Sequence, residues 1–339
     1  MIHVHSGKAH EAPVFRKSRK PILVMGARPE NAHGIFNPAT ARNGTLYLYC
    51  REEDAQGVSR IRAYTTADGA HIDREVGTVL EPKDITGTFE RIGYEDPRGW
   101  VDPVTGKVYL VFVNNNGETQ KNCIAESDDY VNFRVLGPMF PDDLPDKDGA
   151  IMGRRPDGKF IAVRRPMVGP TGWGMRVAIA DKVEGPYHDI AEYPPRADWE
   201  GERTGASEFA HIPGVGYIGL HHGAVKPNGH WVYSSGLDLF NEYGEMIASA
   251  AEPQLFPETK IEQEGAEGKA ILLNTGVQIV RKPCVPGAAK GKGRKYLRSY
   301  AGAGDHCVIV AEASLEDCVN YLHNPINKVN GVEKTFFSF

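Results

Sequence analysis

This sequence is short of cysteine, of positive charge, of long apolar runs and of helical periodicity. Each shortage excludes a class of protein. The five cysteines (Cys50, Cys123, Cys284, Cys307 and Cys318) are odd in number, scattered, and form no Cys-x-x-Cys pair. That argues against a disulfide framework or a thiolate metal site and for buried thiols in a reducing compartment, the cytoplasm. A net charge of −5 gives no electrostatic case for nucleic acid. No apolar run approaches the ~20 residues of a membrane span, so no membrane partner is expected. Residues 1–5 lack the basic and apolar regions of a secretion signal. Asn43-Gly44-Thr45 spells a glycosylation sequon and reads as a hairpin turn. Helical spacing is convincing only after Ser314, where Leu315, Val319 and Leu322 share a face, which predicts one short C-terminal helix.

What is present is strand. Short runs rich in β-branched and aromatic residues, such as Leu46-Tyr47-Leu48-Tyr49-Cys50 and Phe160-Ile161-Ala162-Val163, are separated by Gly, Asp, Asn and Pro. Residues 108–113 are a continuous apolar strand of the same kind. Hairpin pairs recur about every 50–60 residues, the spacing of propeller blades of about four strands. The reading is all-β: a five-bladed β-propeller with a short C-terminal helix, residues 1–339 forming a single domain. The Pro/Gly/Lys-rich segment 282–295 reads as a solvated loop.

Chemistry-bearing residues cluster at strand ends. Gly93-Tyr94-Glu95-Asp96-Pro97-Arg98 sets two carboxylates and a guanidinium beside a proline, and reads as a charged loop between hairpins. Asn37 and Arg51, then Lys147-Asp148 in a loop before the third hairpin, Arg165, His221-His222 and Asp305 recur in comparable places. Each alone reads as a surface charge or turn; the repetition after successive strands points to one channel mouth. Gly214-Val215-Gly216-Tyr217-Ile218-Gly219 spells a dinucleotide fingerprint, but it leads into a strand instead of a helix. His221 and His222 alternate faces, so they do not make a metal pair, and no metal is expected.

The ordered fragments Phe36-Asn37-Pro38-Ala39, Tyr49-Cys50-Arg51, Tyr94-Glu95-Asp96-Pro97-Arg98, Lys147-Asp148, Arg165-Pro166, His222-Gly223, Leu237-Asp238-Leu239, Pro257-Glu258 and Ala303-Gly304-Asp305 resemble glycoside hydrolase family 130. The resemblance runs from about residue 21 to 322. That family is mostly inverting β-mannoside phosphorylases on five-bladed propellers. The related glycosyltransferase family 108, the kinetoplastid mannosyltransferase/phosphorylases of β-1,2-mannan metabolism, shares the pattern. The resemblance implies Asp96 as the general acid, in some proposals acting through a sugar hydroxyl. It implies Arg51, Arg165, His222 and Lys147 as phosphate-binding residues, and Asn37, Glu95, Arg98 and Asp305 as substrate-binding ones.

The implied reaction is reversible phosphorolysis of β-1,2-mannooligosaccharide to α-mannose 1-phosphate and a shortened chain. Inorganic phosphate or mannose 1-phosphate is the co-substrate and no cofactor is needed. A homo-oligomer is compatible with the sequence. The residue chemistry agrees: a phosphorylase needs cations for its anionic nucleophile, whereas an inverting hydrolase needs a second carboxylate ~6.5–9.5 Å from the acid to activate water. The acid must hold a proton near neutral pH, which burial or neighbouring Glu95 could secure. Three departures stand out from the family pattern: Gly205-Ala206-Ser207-Glu208 replaces a Pro-Pro stretch, His221 replaces a tyrosine, and Ser234 replaces an arginine. Glu208 is therefore an alternative base for a β-mannosidase. A GDP-mannose-dependent β-1,2-mannosyltransferase and a propeller that only binds its ligand are the other readings.

Overall fold

Apolar residues on both faces of most strands decide how the strands pack. The computed structural model describes residues 15–18, 20–24, 32–82, 92–168, 173–282 and 293–329. Among them the chain forms five successive antiparallel units, each opening on a strand rich in polar residues. The first unit is Ala32–Asn43, Thr45–Asp54, Val58–Thr66 and Arg74–Leu80. The second is Ile92–Val101, Val108–Asn115, Gln120–Ser127 and Arg134–Pro138. Asp146–Arg154, Phe160–Pro166, Met175–Ala180 and His188–Tyr193 make the third. Thr204–Ile212, Gly216–Val225, Val232–Phe240 and Met246–Ser249 make the fourth. In the fifth, Ala270–Lys282, Arg294–Ala303 and Cys307–Ser314 are completed by Arg16–Lys17 and Leu23–Val24 from the start of the chain.

Side chains alternate across each strand, so each unit offers one apolar face to the unit before it and another to the unit after it. Ile161 and Val163 pack with Phe209 and Phe240 of the fourth unit, whereas Phe160 and Ala162 pack with Val111 and Ile124 of the second. The same arrangement joins the first unit to the second, the fourth to the fifth, and the fifth back to the first, where Leu46 and Leu48 meet Tyr300 and Val308. The opening strands likewise lie side by side in chain order, the fifth against the first. Two faces buried against neighbours explain why residues 108–113 are apolar throughout.

The opening strands share one irregularity. In the second unit Glu95 faces Val113 and Arg98 faces Val111, so Asp96 and Pro97 together oppose one residue. This is a β-bulge, and it corrects the expectation of a loop at 93–98: the skipped position absorbs the proline's missing N–H. Lys147-Asp148 is corrected in the same way, lying inside a strand whose register skips between Lys147 and Ala150. Bulges at the corresponding places separate Phe36 from Ala39, Ala206 from Phe209 and Asn274 from Gly276. Asn37, Asp96 and Asp148 take φ values of 46°, 46° and 55°, a left-handed conformation that Asn and Asp tolerate better than most side chains.

Gly44, with φ 99°, turns the hairpin at the sequon. The helix Leu315–His323 is present, with the Ser314 side chain accepting from the Asp317 N–H. A second, one-turn α-helix lies at Lys260–Gln263. Cys50, Cys123, Cys307 and Cys318 are free and buried, while Cys284 lies outside the described residues. Most of the segment 282–295 also lies outside them, although Lys282, Arg294 and Lys295 belong to strands. Among the described residues no helix is long and apolar enough to cross a membrane.

Candidate active site

The bulges bring the polar residues together. Asp96 accepts from Asn37 Nδ2 at 2.8 Å and faces Arg51 Nη1 at 3.2 Å, both through Oδ1. Arg51 enters from the second strand of the first unit and is tied down by Glu53 and Ser59 Oγ, each at 2.9 Å. It also reaches Glu95 at 3.4 Å. Glu95 is held in turn by Lys147 Nζ at 2.9 Å and Asn115 Nδ2 at 3.0 Å. Lys147 therefore bridges the second and third units. Asn37 is itself packed on Gly302 of the fifth unit, where an added Cβ would lie 2.0 Å from the Asn37 Oδ1.

One bulge further on, Asp148 collects three cationic or basic groups. Arg98 Nη2 meets its Oδ1 at 2.9 Å, Arg165 Nη2 meets its Oδ2 at 2.9 Å, and His222 Nε2 lies 3.6 Å from Oδ2. Arg98 also donates to the backbone oxygens of Asp96 at 2.7 Å and Ala206 at 3.2 Å. At 1 % exposure it fixes the acid-bearing bulge to the third and fourth units. Gly205 leaves the room needed here, because a Cβ would lie 2.2 Å from Asp148 Oδ2 and 2.5 Å from His222 Cε1. Arg165 Nε and His222 Nδ1 are buried without a protein hydrogen-bond partner. Both are nitrogens that an anion could use.

The titration behaviour follows from these contacts. Burial pushes Asp96 up, but Arg51, then Arg98 and Lys147, outweigh it and hold the carboxyl below the usual carboxylate range. The expectation that burial or Glu95 would keep this acid protonated is corrected for the unliganded site: the surrounding cations prevail. Glu95 is lowered too, since Arg51 and Lys147 overcome its burial. Asp148 is lowered against burial by Arg165 first and by Arg98. His222 falls to about 3, because burial and the neighbouring guanidinium groups outweigh Asp148. It offers a neutral ring rather than a charge.

His221 points the other way, as strand alternation requires. It lies between Asp238 at 2.9 Å and Glu200 at 3.1 Å, and stacks on Trp199 with ring centres 5.0 Å apart. Burial would lower it, but the two carboxylates, Asp238 foremost, raise it to about 10. Asp305 sits half-buried at the turn between Arg294–Ala303 and Cys307–Ser314 of the fifth unit with φ 57°, close enough to act electrostatically on Arg51.

Glu208 has a different position from the other candidates. Its Oε1 accepts the N–H groups of Thr40 and Gly99, both at 2.6 Å. Its Oε2 accepts Val277 N–H at 2.9 Å and the Thr40 hydroxyl. One carboxylate of the fourth unit thus ties the opening strands of the first, second and fifth. Burial pushes it up to about 8 against the pull of these donors. It borders a cavity of about 390 Å³ lined by Trp100, Met152, Phe209, Tyr217 and Gln278, which neither Asp96, Arg165 nor His222 touches.

Sequence reasoning passed over Asp148 as a site residue, although it follows Lys147 as Asp96 follows Glu95; that repeated pair was the available signal. Asn115 and Glu200 had no local signal, because their partners lie about twenty residues away on other elements; Asp238 was legible only inside the fragment Leu237-Asp238-Leu239, with no role assigned to it.

The sequence profile of glycoside hydrolase family 130, described as β-1,4-mannooligosaccharide phosphorylase, matches residues 6–324. The chain is 28% identical over 287 residues to the β-1,2-mannobiose phosphorylase of Thermoanaerobacter sp. (strain X514), covering 78% of this chain and 89% of that protein. It is 24% identical over 323 residues to the β-1,4-mannooligosaccharide phosphorylase of Ruminococcus albus, covering 91% and 90%. In structure it is similar to the β-1,2-mannobiose phosphorylase of Listeria innocua in complex with β-1,2-mannobiose: the TM-score is 0.74 at 16% identity, over 91% of this chain and 99% of that one. A scaffold built almost wholly of strands, with buried carboxylates interleaved with arginines and a lysine, is on these matches an enzyme of the glycoside phosphorylase class. The chain belongs to glycoside hydrolase family 130, the mannoside phosphorylases.

Proposed function

We propose that this chain is an inverting β-mannoside phosphorylase on a five-bladed propeller, with β-1,2-mannooligosaccharide as substrate. The observation that carries the reading is the buried group of Arg165 and His222 one bulge away from Asp96, with Arg165 Nε and His222 Nδ1 lacking protein partners. A site for an anion beside an acid is what phosphorolysis needs. The five units and the cyclic order of their opening strands support the propeller. The free, buried cysteines suit a cytoplasmic setting.

In the forward direction phosphate attacks C1 of the terminal mannose from the face opposite the leaving group. A C1–O bond to phosphate forms as the glycosidic C1–O bond breaks. Asp96 gives the leaving oxygen its proton, directly or through a sugar hydroxyl, and the products are α-mannose 1-phosphate and the shortened chain. Asp96 starts as an anion, so phosphate has a second task. Its negative charge offsets the field of Arg51, Arg98 and Lys147, raising the Asp96 pKa as the complex forms. In reverse, the ionised Asp96 is already the base that takes the acceptor's proton. No cofactor is invoked.

Hydrolysis would need a carboxylate free to activate water. The two oxygens of Glu208 accept from three backbone N–H groups and one hydroxyl, which supports phosphorolysis over a β-mannosidase. The test is to incubate the protein with β-1,2-mannobiose with and without inorganic phosphate and identify the sugar released. Mannose 1-phosphate formed only with phosphate is expected. Free mannose alone in phosphate-free buffer would refute the reading.

A further inference from the structure

Outward from Arg165 and His222, the wall of the site becomes a ladder of cations and aromatic rings. Arg165 lies over Trp173, 5.7 Å from the ring centre. Arg203 lies over both Trp173 at 4.6 Å and Trp231 at 4.2 Å, and Lys226 Nζ is 5.3 Å from Trp231. A second route leads to the same place: the His222 ring is 6.0 Å from Tyr233, which is 6.3 Å from Trp231. Backbone bonds fasten the ladder where the third and fourth units meet, Trp173 N–H to Glu202 at 2.7 Å and Thr204 N–H to Trp173 at 3.0 Å. Trp173, Arg203, Trp231 and Tyr233 are half-buried and Lys226 is exposed.

The ladder holds Arg203 over two indole rings at once. Cation–π attraction to the rings restrains the guanidinium without using its N–H donors, whose planar fork suits a phosphoryl or carboxylate group. Among the described residues neither Arg203 nor Lys226 has a carboxylate within ion-pair distance. This unneutralised basic rim belongs to a chain of net charge −5 and adjoins the buried Arg165, whose Nε also has no protein partner.

We propose that Arg203 and Lys226, with Trp173 and Trp231, form a second anion subsite that receives a further phosphoryl group carried by the substrate. The proposal rests on reading Arg165 and His222 as the site of the first phosphate. Arg203 takes the group through its fork, Lys226 adds a point charge, and the exposed ring edges cover the attached sugar or base. Two ligands carry such a group: a nucleoside diphosphate, as in a sugar-nucleotide donor, and a phosphomonoester on the acceptor mannose.

The test is calorimetric titration of the wild type, Arg203→Gln and Lys226→Gln with inorganic phosphate, GDP, mannose and mannose 6-phosphate. The expected result is that GDP or mannose 6-phosphate binds the wild type at least tenfold more tightly than phosphate, and mannose 6-phosphate, if it is the carrier, also exceeds mannose. In both variants that ratio should fall below about threefold, a single charge-assisted bond being worth roughly tenfold or more. Whichever ligand shows the gain identifies the carrier. Lys226 is exposed, so its variant tests the subsite without threatening the fold. If phosphate binds but neither phosphorylated ligand exceeds it, or the excess survives both substitutions, the subsite is refuted while phosphorolysis stands. If phosphate does not bind and an Arg203-dependent gain remains, the subsite stands and phosphorolysis fails.

Discussion

Replacing Asp96 by asparagine separates proton transfer from architecture. Both protein contacts to the side chain use Oδ1, from Asn37 at 2.8 Å and Arg51 at 3.2 Å, and an amide oxygen can keep them. Arg51 would not be left alone, since Glu53 and Ser59 at 2.9 Å and Glu95 at 3.4 Å remain. The stability cost is therefore limited to weakening one charge-assisted bond, about 1 kcal/mol. Catalysis has no such reserve. A positioned general acid contributes roughly 10²–10⁴ in rate, or about 3–5 kcal/mol of barrier. The variant should therefore lose that factor in kcat on β-1,2-mannobiose while its denaturation midpoint barely moves. The assay is mannose 1-phosphate release in phosphate buffer, run beside 4-nitrophenyl β-mannoside, whose leaving group departs without a proton. On the activated substrate the variant should stay within about tenfold of the wild type. Equal losses on both substrates would show that Asp96 positions the sugar instead of protonating it. Retention of more than about a tenth of the rate on mannobiose, under ~1.4 kcal/mol of barrier, would also refute the assignment.

Two further outcomes follow from the same contacts. Glu208→Gln keeps one acceptor oxygen but turns an amide toward the Val277 N–H, orphaning a buried donor at a cost of about 1–3 kcal/mol. Urea midpoints at pH 5.5 read this, and a variant within about 0.5 kcal/mol of the wild type there would refute it. The pH dependence has a definite sign: with the folded pKa raised to about 8, Glu208 contributes stability below its ordinary value of 4.5 that is lost as pH rises toward 8. The Gln variant should lack that slope. Arg165→Gln should raise KM for phosphate by about 10–100-fold, the worth of one or two charge-assisted bonds, with KM for the oligosaccharide changed far less. An unchanged KM for phosphate would remove Arg165 from the anion pocket.

Much of this was legible in the chain, but unevenly. The apolar strands at 46–50, 108–113 and 160–163 announced themselves by composition. The opening strands did not. Glu95-Asp96-Pro97-Arg98 and Lys147-Asp148 look like loops because proline has no N–H and aspartate disfavours strands. In the fold each such stretch sits at a bulge, where skipped register frees the proline and turns the acid inward. The residues were therefore found while their local structure was misread. Asp148 was noticed beside Lys147 but given no role for a related reason, since its importance lies in Arg98, Arg165 and His222, none of them near it in sequence.

By itself the sequence determined that the chain is built of short strands, that one of them, 108–113, is apolar throughout, and which polar residues recur among them. Those are local properties, set by side-chain alternation and composition. Only the tertiary structure decided which charges meet. It placed Arg51 on Asp96, gathered three groups on Asp148, spent Glu208 on three backbone N–H groups, and set Arg203 over two tryptophans. Period-two alternation fixes which face a residue takes. The distance and order between faces arise only when whole units pack, and charge interactions depend on that distance.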